Sequence, residues 1–139
     1  MYESWLGNRW FGNWLSDDCL TYLLAEPGST TVTSLLTPTG HMPRYESLLG
    51  MTPLRKETIH FRELVLFDDM PNNDGKTRRA AEMRRRLLAG RSCSPLPGVF
   101  ILRGKSGDAR VMENERQIAE QLAQTYGFRL LDPLTASVD

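Results

Sequence analysis

Residues 98–133 read GVFILRGKSGDARVMENERQIAEQLAQTYGFRLLDP, and this stretch decides the fold. The apolar run 99–102 predicts a strand, residues 113–126 predict a helix that ends at Gly127, and residues 128–131 predict a second strand. Strand, helix and strand in this order indicate a βαβ unit, in which a right-handed crossover joins two parallel strands. The sequence therefore predicts an α/β protein with a mainly parallel sheet.

A basic loop follows the first of these strands. It carries Arg103, Lys105 and Arg110, together with Gly104 and Gly107. Ligands of α/β proteins bind outside the carboxyl ends of the strands, and Arg and Lys pair with phosphate oxygens. The loop thus predicts an anion site. The alternative is a solvated loop that is basic by chance.

Asn114 and Glu115 lie at the start of the predicted helix. Acidic residues in a first helical turn often only complement the helix dipole. The functional alternative is that Asn114 and Glu115 hold the basic loop in shape by hydrogen bonds.

The rest of the chain predicts further helices and strands, all in one domain over residues 1–139. Helical spacing covers residues 8–25 and 76–89, and a short helix at 43–49 has Pro at its start and Gly50 at its end. Strand candidates lie at residues 30–36, 58–60 and 63–67. The final strand is followed only by LTASVD, so we expect a domain that is truncated at its C-terminal end.

Composition limits the class of protein. There are 17 basic and 17 acidic residues, so the net charge gives no support to nucleic-acid binding. No apolar run approaches the roughly 20 residues of a transmembrane helix, and the N-terminus lacks a secretory signal. Cys19 and Cys93 are expected to be reduced thiols, and neither His41 nor His60 makes a metal-ligand spacing with them. We expect a cytoplasmic protein without a metal site.

Three tryptophans fall within a stretch of ten residues near the N-terminus. Trp5, Trp10 and Trp14 are interleaved with Gly-Asn pairs and are followed by Asp17 and Asp18. One interpretation is a core helix with aromatic anchors, and the other is a sugar-binding platform. In the second case Asp17 could act as a general base on a hydroxyl if a pocket raised its pKa.

An arginine-rich helix and an acidic pair complete the candidate sites. The predicted helix 76–89 contains a single acid, Glu82, and five arginines: Arg78, Arg79, Arg84, Arg85 and Arg86. A solvated helix face is one interpretation, and a surface for RNA or a membrane is the other. Asp68 and Asp69 precede Pro-Asn-Asn-Asp-Gly, which favours a turn over a metal site.

These motifs together resemble the family 61 glycosyltransferases, whose bacterial members are often named capsular polysaccharide biosynthesis proteins. The resemblance lies in an apolar strand ending in Arg, a second Arg, Asn-Glu and then Gly-Phe, in register with Arg103, Arg110, Asn114, Glu115, Gly127 and Phe128. In the N-terminal element, Trp14, Leu15 and Asp17 match the family, but Asn13 stands where the family usually has His. The LLG of residues 48–50 also resembles the family's pattern.

The resemblance implies a Rossmann-like three-layer domain, one half of a GT-B-type enzyme. It implies sugar transfer from a nucleotide-sugar donor to a glycan acceptor, without a metal or other cofactor. The site residues that it implies are Asp17 and Asn13 as catalytic groups, Arg103, Lys105 and Arg110 as diphosphate ligands, Asn114 and Glu115 as organisers of the basic loop, and Trp14 as a substrate contact.

The resemblance also implies limits and partners. The family continues into a glycine-rich second half, so we expect this chain to be inactive on its own. An exposed sheet edge would favour a homodimer, and membrane association would occur through partners. The rival interpretation is a non-enzymatic α/β interaction module that uses helix 76–89 to bind a protein or nucleic acid.

Overall fold

The computed structural model of the chain describes residues 2–69, 72–92, 94–104 and 112–138. The chain divides into two compact units, Met1–Arg91 and Ser92–Asp139. It is a mixed α/β protein in which the strands of the described residues form two separate two-stranded sheets, both parallel. The predicted α/β class and parallel pairing are confirmed.

The first unit begins with a helical stretch that is interrupted by a wider turn. Helix α1 spans Phe11–Asn13, a π-helical turn spans Trp14–Asp18, and helix α2 spans Cys19–Tyr22. The N–H of Cys19 reaches back to the carbonyl of Trp14, five residues earlier. Such π-helical turns occur mostly inside α-helices and often at functional sites. The predicted helix over 8–25 is confirmed for its central part, but its regular spacing is not.

A short βαβ arrangement follows in the first unit. Strand β1 is Val32–Thr33, helix α3 is Met42–Leu49, and strand β2 is Leu54–Arg55, which pairs in parallel with β1. Helix α3 matches its prediction closely, since Pro lies in its first turn and Gly50 ends it with a φ of 69°. That left-handed conformation favours glycine and lets the chain reverse.

Two strand predictions in the first unit are wrong. Residues 58–60 and 63–67 form no strand, and the strand predicted over 30–36 is only the two residues of β1. Apolar β-formers give a strand only where a neighbouring backbone pairs with them, and β1 has β2 as its partner instead. Four consecutive apolar side chains, at residues 64–67, are consequently exposed.

Helix α4 spans Asp74–Leu87 and confirms the helix predicted over 76–89. Its N-cap is Asn73, whose side-chain oxygen accepts a hydrogen bond of 2.8 Å from the N–H of Lys76. Such a cap satisfies a donor that the first turn of a helix otherwise leaves unpaired. The helix packs against α2 and α3, which positions its first turn near the helical stretch of residues 11–22.

The core of the first unit joins the N-terminal stretch to α3. It contains Tyr2, Trp14, Cys19, Met42, Leu49 and Met51. Cys19 is a buried free thiol, and burial raises its pKa, while Cys93 lies outside the described residues. Trp14 is only 1% exposed, so the π-helical turn is anchored by the largest side chain of this core.

The second unit contains the predicted βαβ element. Strand β3 is Val99–Ile101, helix α5 is Glu115–Tyr126, and strand β4 is Arg129–Leu131, with Phe100 opposite Leu130 in the parallel register. All three elements confirm their predictions to within two residues. A Cβ on Gly98 would lie 2.4 Å from the Phe128 ring, so this ring packs directly on glycine backbone.

Candidate functional site

The π-helical turn gives two adjacent carboxylates opposite environments. The side chain of Asp17 is 40% exposed, whereas Asp18 is 2% exposed as a residue. Helical residues one apart do not share a face. The Asp-Asp pair therefore supplies one accessible carboxylate and one buried carboxylate.

Asp17 is held by two partners. Asn13 donates from Nδ2 to Asp17 Oδ2 over 3.5 Å, and Lys76 donates from Nζ to Asp17 Oδ1 over 2.8 Å. The hydrogen bond from Lys76 is the main cause that lowers the pKa of Asp17. The structure thus brings together the two predicted catalytic residues, Asn13 and Asp17. It does not raise the pKa of Asp17, which was the condition for general-base catalysis, because a cation lies against the carboxylate.

Lys76 extends this contact into a network. Its ammonium group also lies 3.4 Å from the backbone carbonyl of Asp69. Arg79 donates to both carboxylate oxygens of Asp69, and Thr21 donates to Asp69 Oδ2 over 3.3 Å. We call this set, including Asn13 and Asp17, the Asp17–Lys76 network. It ties the helical stretch to α4 through charged groups that are largely buried.

Sequence reasoning missed Lys76, and it named Arg79 only as one arginine of the arginine-rich helix. Lys76 and Arg79 act together here. They lie three positions apart on α4, a spacing that puts two side chains on one helix face. That face meets Asp17 from the N-terminal helical stretch and Asp69 from the segment just before α4. The spacing was visible in the sequence, but the choice of partners depends on tertiary packing. Lys76 is one of the few charged residues in the described chain that is buried, at 9% exposure.

Asp18 was also missed, and its surroundings are unusual. It accepts hydrogen bonds from the backbone and side chain of Ser4, while its Oδ2 atom is buried without a hydrogen-bond partner. Burial raises its pKa to about 6. A Cβ on Gly7 would lie 1.8 Å from Oδ2, so only glycine fits there. At 2% exposure Asp18 cannot contact a substrate, and its role is to hold the N-terminal segment.

The three tryptophans separate into core and surface. Burial of Trp14 leaves no ring face for a ligand, so for this residue the core-anchor interpretation fits. Trp5 and Trp10 are exposed, and the Arg9 guanidinium lies 4.7 Å from the centre of a Trp5 ring. Aromatic faces exposed in this way are the part of the N-terminal motif that remains available to a sugar.

In the second unit, Glu115 fastens the start of the basic loop. Its carboxylate accepts hydrogen bonds from the backbone N–H groups of Arg103, at 2.5 Å, and Gly104, at 3.1 Å. We call this contact the Glu115 anchor. Its two donors come directly after β3, and Leu102 is itself held by a 2.8 Å hydrogen bond to the carbonyl of Leu131. The chain therefore leaves the sheet in a fixed direction.

The remaining loop residues are distributed unevenly. Lys105 and Arg110 lie outside the described residues. The Arg103 side chain is exposed at the carboxyl end of β3. Asn114 is the N-cap residue of α5, but its side chain makes no capping hydrogen bond. The hydrogen bonds expected of the Asn-Glu pair are therefore made by Glu115.

Chemically, this arrangement presents a cation next to backbone that is already ordered. Because the start of the loop is anchored, the loop loses less conformational entropy when it binds an anionic ligand. Among the described residues, no group of three His, Cys, Asp or Glu side chains is placed to hold a metal ion. No helix within the described residues is long and apolar enough to cross a membrane.

Comparison with known proteins gives one match. No curated protein and no solved structure matches the chain significantly. The family model described as glycosyltransferase 61 matches residues 11–139. The matched region includes both the helical stretch with Asn13 and Asp17 and the Glu115 anchor, and it confirms the resemblance identified from the sequence motifs. The chain belongs to the glycosyltransferase 61 family.

Proposed function

We propose that the protein takes part in glycosyl transfer from a nucleotide-sugar donor to a glycan acceptor during capsular or surface polysaccharide biosynthesis. Family membership supports glycosyl transfer in general. The donor, the acceptor and the capsular context are the further content of the proposal. The observation that carries it is the Glu115 anchor, because it fixes the start of a basic loop at the carboxyl end of a parallel strand.

The donor diphosphate is assigned to the second unit. Departure of a nucleoside diphosphate leaves negative charge on the leaving group, and fixed cations stabilise that charge. Arg103, Lys105 and Arg110 supply the cations in the proposal, and Glu115 positions the backbone of the first. The β3–α5–β4 unit supports a Rossmann-like half of a GT-B enzyme, since its strands are parallel and the loop follows the first strand.

The acceptor is assigned to the first unit. Asp17 accepts from Lys76 and Asn13 but is still partly exposed, so its carboxylate has room for a hydrogen bond from a sugar hydroxyl. Asn13 adds an amide next to it. Because Lys76 lowers the pKa of Asp17, we assign Asp17 to orienting the hydroxyl. The exposed rings of Trp5 and Trp10 extend the polar contact with aromatic surface.

The rival interaction module has weaker support. Arg79 is paired with Asp69, while Arg85 and Arg86 are both paired with Glu82. Two carboxylates thus offset two of the five arginine charges of this helix, which reduces the counterion release that drives nucleic-acid binding. A salt-dependent shift of the protein on generic RNA would nevertheless favour the module over the glycosyltransferase.

Binding of nucleoside diphosphates tests the proposal. UDP, GDP and dTDP would be titrated calorimetrically into the full chain. Arg103→Ala should weaken the best binder by about tenfold or more, since charge-assisted hydrogen bonds contribute roughly 1.5–3 kcal/mol. Arg116→Ala is the matched control, because it removes an exposed arginine one residue beyond Glu115. Equal losses in the two variants would contradict a specific diphosphate site.

Glu115→Gln separates two roles of this carboxylate. Removing a negative charge near cations would strengthen anion binding if Glu115 acted only through its charge. Loss of one of the two backbone hydrogen bonds would weaken binding if Glu115 orders the loop. We expect weaker binding of the diphosphate, and tighter binding would contradict the positioning role.

A further inference from the structure

Two cavities in the first unit share a wall. The first, which we call the apolar cavity, has a volume of about 530 Å³, and the second, the polar cavity, has a volume of about 450 Å³. Both values fall in the range of small-molecule sites. Six residues line both cavities: Tyr22, Ala25, Glu26, Ser29, Thr30 and Thr31. The two cavities are therefore adjacent.

The apolar cavity is lined by the segment that does not become a strand. This segment contributes Ile59, Phe61, Leu64, Val65 and Phe67 to the lining, and Leu54 of β2 adds a further apolar side chain. Several of these side chains are also among the exposed large hydrophobic residues of the unit. A contiguous exposed apolar patch beside a cavity commonly marks a binding site.

The polar cavity has a different character. Hydroxyl groups come from Ser29, Thr30, Thr31 and Thr52, and Arg86 also lines it. The Arg86 guanidinium already donates to Glu82 and to the backbone carbonyl of Leu49.

Charge selects among ligands. Glu26 lies in the shared wall and Glu63 lines the apolar cavity, while the arginine of the polar cavity is committed to other partners. A phosphate or sulfate would meet net negative charge here and be disfavoured. A neutral polyol suits hydroxyl groups and a carboxylate acceptor, because each can exchange hydrogen bonds with sugar hydroxyls.

We propose that the two cavities together bind a neutral amphipathic glycoside, with the sugar in the polar cavity and a hydrocarbon chain in the apolar cavity. This inference rests on the proposed function and deepens it, because it assigns the acceptor class: a glycan carried on a hydrocarbon chain. The cavities would hold the carrier-linked end of this acceptor, since Asn13 and Asp17, which were assigned to its reacting hydroxyl, line neither cavity. The carrier chain would cover the exposed apolar side chains of residues 64–67.

Alkyl β-D-glucopyranosides are the probes. Methyl through octyl glucosides would be titrated into the full chain below their micelle-forming concentrations, with binding followed by calorimetry or NMR. Each added methylene should tighten binding about fourfold until the apolar cavity is filled. Octyl sulfate replaces the sugar with a negative charge and should bind more weakly than octyl glucoside, because Glu26 and Glu63 give the two cavities a net negative charge.

Surface variants locate the site. Leu64→Ser alters the apolar cavity alone, whereas Thr30→Val removes a hydroxyl group from the wall that the two cavities share. Both residues are exposed, Leu64 at 43%, so folding is not at risk. We expect octyl glucoside to bind about fivefold more weakly to Leu64→Ser and about threefold more weakly to Thr30→Val. Leu36→Ser and Thr58→Val are matched controls, because both residues are exposed and line neither cavity.

The outcomes separate this site from the donor site. Affinity independent of chain length, equal losses in variants and controls, or binding of octyl sulfate as tight as that of octyl glucoside would each overturn the glycoside site. Glucoside binding that depends on Leu64 and Thr30, without diphosphate binding that depends on Arg103, would support the glycoside site and contradict the proposed donor chemistry. The reverse pattern would overturn the glycoside site alone.

Discussion

Replacing Asp18 with asparagine should remove a pH-dependent loss of stability that is built into the first unit. Burial raises the pKa of Asp18 from 3.8 to about 6. The folded protein therefore binds this proton more tightly than the unfolded chain does. At pH values below about 4 both states are protonated, and Asp18 adds no electrostatic penalty. Between pH 3.8 and about 6 the unfolded chain loses this proton while the folded protein keeps it, so the folded state loses stability as the pH rises, and the loss is complete once the buried carboxyl ionises above pH 6.

The magnitude follows from the pKa difference. One pKa unit corresponds to about 1.4 kcal/mol, so ionisation of Asp18 should destabilise the folded protein by about 3 kcal/mol between pH 4 and pH 7. Asparagine has nearly the same shape but no titration in this range. The free energy of unfolding of Asp18→Asn relative to wild type should thus rise by about this amount over the same pH interval.

Urea unfolding followed by tryptophan fluorescence provides the assay. Curves would be recorded for both proteins from pH 4 to pH 8, and only the difference between them would be interpreted, because other carboxylates also titrate. Trp14 lies in the π-helical turn next to the substituted position, so its emission reports on the relevant structure. The m-values must agree for the comparison to hold.

Asp17→Asn is the matched control with the opposite sign. Lys76 lowers the pKa of Asp17, so this carboxylate stabilises the folded state above its unfolded pKa and loses that effect as the pH falls. The destabilisation caused by Asp17→Asn should therefore shrink on acidification. A difference between wild type and Asp18→Asn that stays flat from pH 4 to pH 8 would refute the buried, proton-retaining state of Asp18.

Three further substitutions test contacts seen in the two units. Gly7→Ala should destabilise the protein by about 1–3 kcal/mol in thermal unfolding, because the new methyl group meets the buried carboxylate beneath it; an unchanged midpoint would mean that the contact is not close. Gly98→Ala should destabilise the protein by a similar amount, because the new methyl group meets the Phe128 ring. Adding Phe128→Leu to Gly98→Ala should restore part of the lost stability, and strictly additive effects of the two substitutions would argue against a clash between the methyl group and the ring. Lys76→Met should lower the free energy of unfolding by only about 1 kcal/mol, since the side chain of Asp17 is partly exposed. The same substitution should raise the pKa of Asp17 in an NMR titration, and an unchanged pKa would show that Lys76 does not lower it.

The helices were predictable because their signals are local. Helix α3 carries Pro in its first turn and Gly50 at its end, and α5 ends at Gly127 in the same left-handed conformation. Capping residues and apolar spacing specify such elements without reference to the rest of the chain. The strands of the second unit were equally predictable, since they flank one helix and pair with each other.

The wrong strands show the limit of local signals. Residues 63–67 have strong strand propensity, yet they form irregular chain, and four of these five residues line a cavity. A strand needs a partner at the right distance, and that is a property of the whole fold. The same reasoning applies to the site. The four-residue spacing of Asn13 and Asp17 was local and predictable, whereas Lys76 reaches Asp17 from 59 positions away.

The π-helical turn explains why Asp18 escaped notice. Regular helical spacing gives no reason for one of two adjacent acids to be buried without a cation. The wider turn, anchored by Trp14, and the absence of a side chain at Gly7 together create that position. Such a combination has no signature in a single sequence beyond a glycine a few residues before a helix.

The Glu115 anchor has a consequence for how this protein can diversify. The anchor holds backbone amides, which every residue type except proline possesses, so it places no demand on the side chain at Arg103. The backbone path by which the loop leaves the sheet can therefore stay the same while the side chains of the loop change. Mutation can exchange the charges that meet a ligand while the path of the chain persists. Variants of this fold can in this way bind different ligands without any change in the backbone contacts that position the loop.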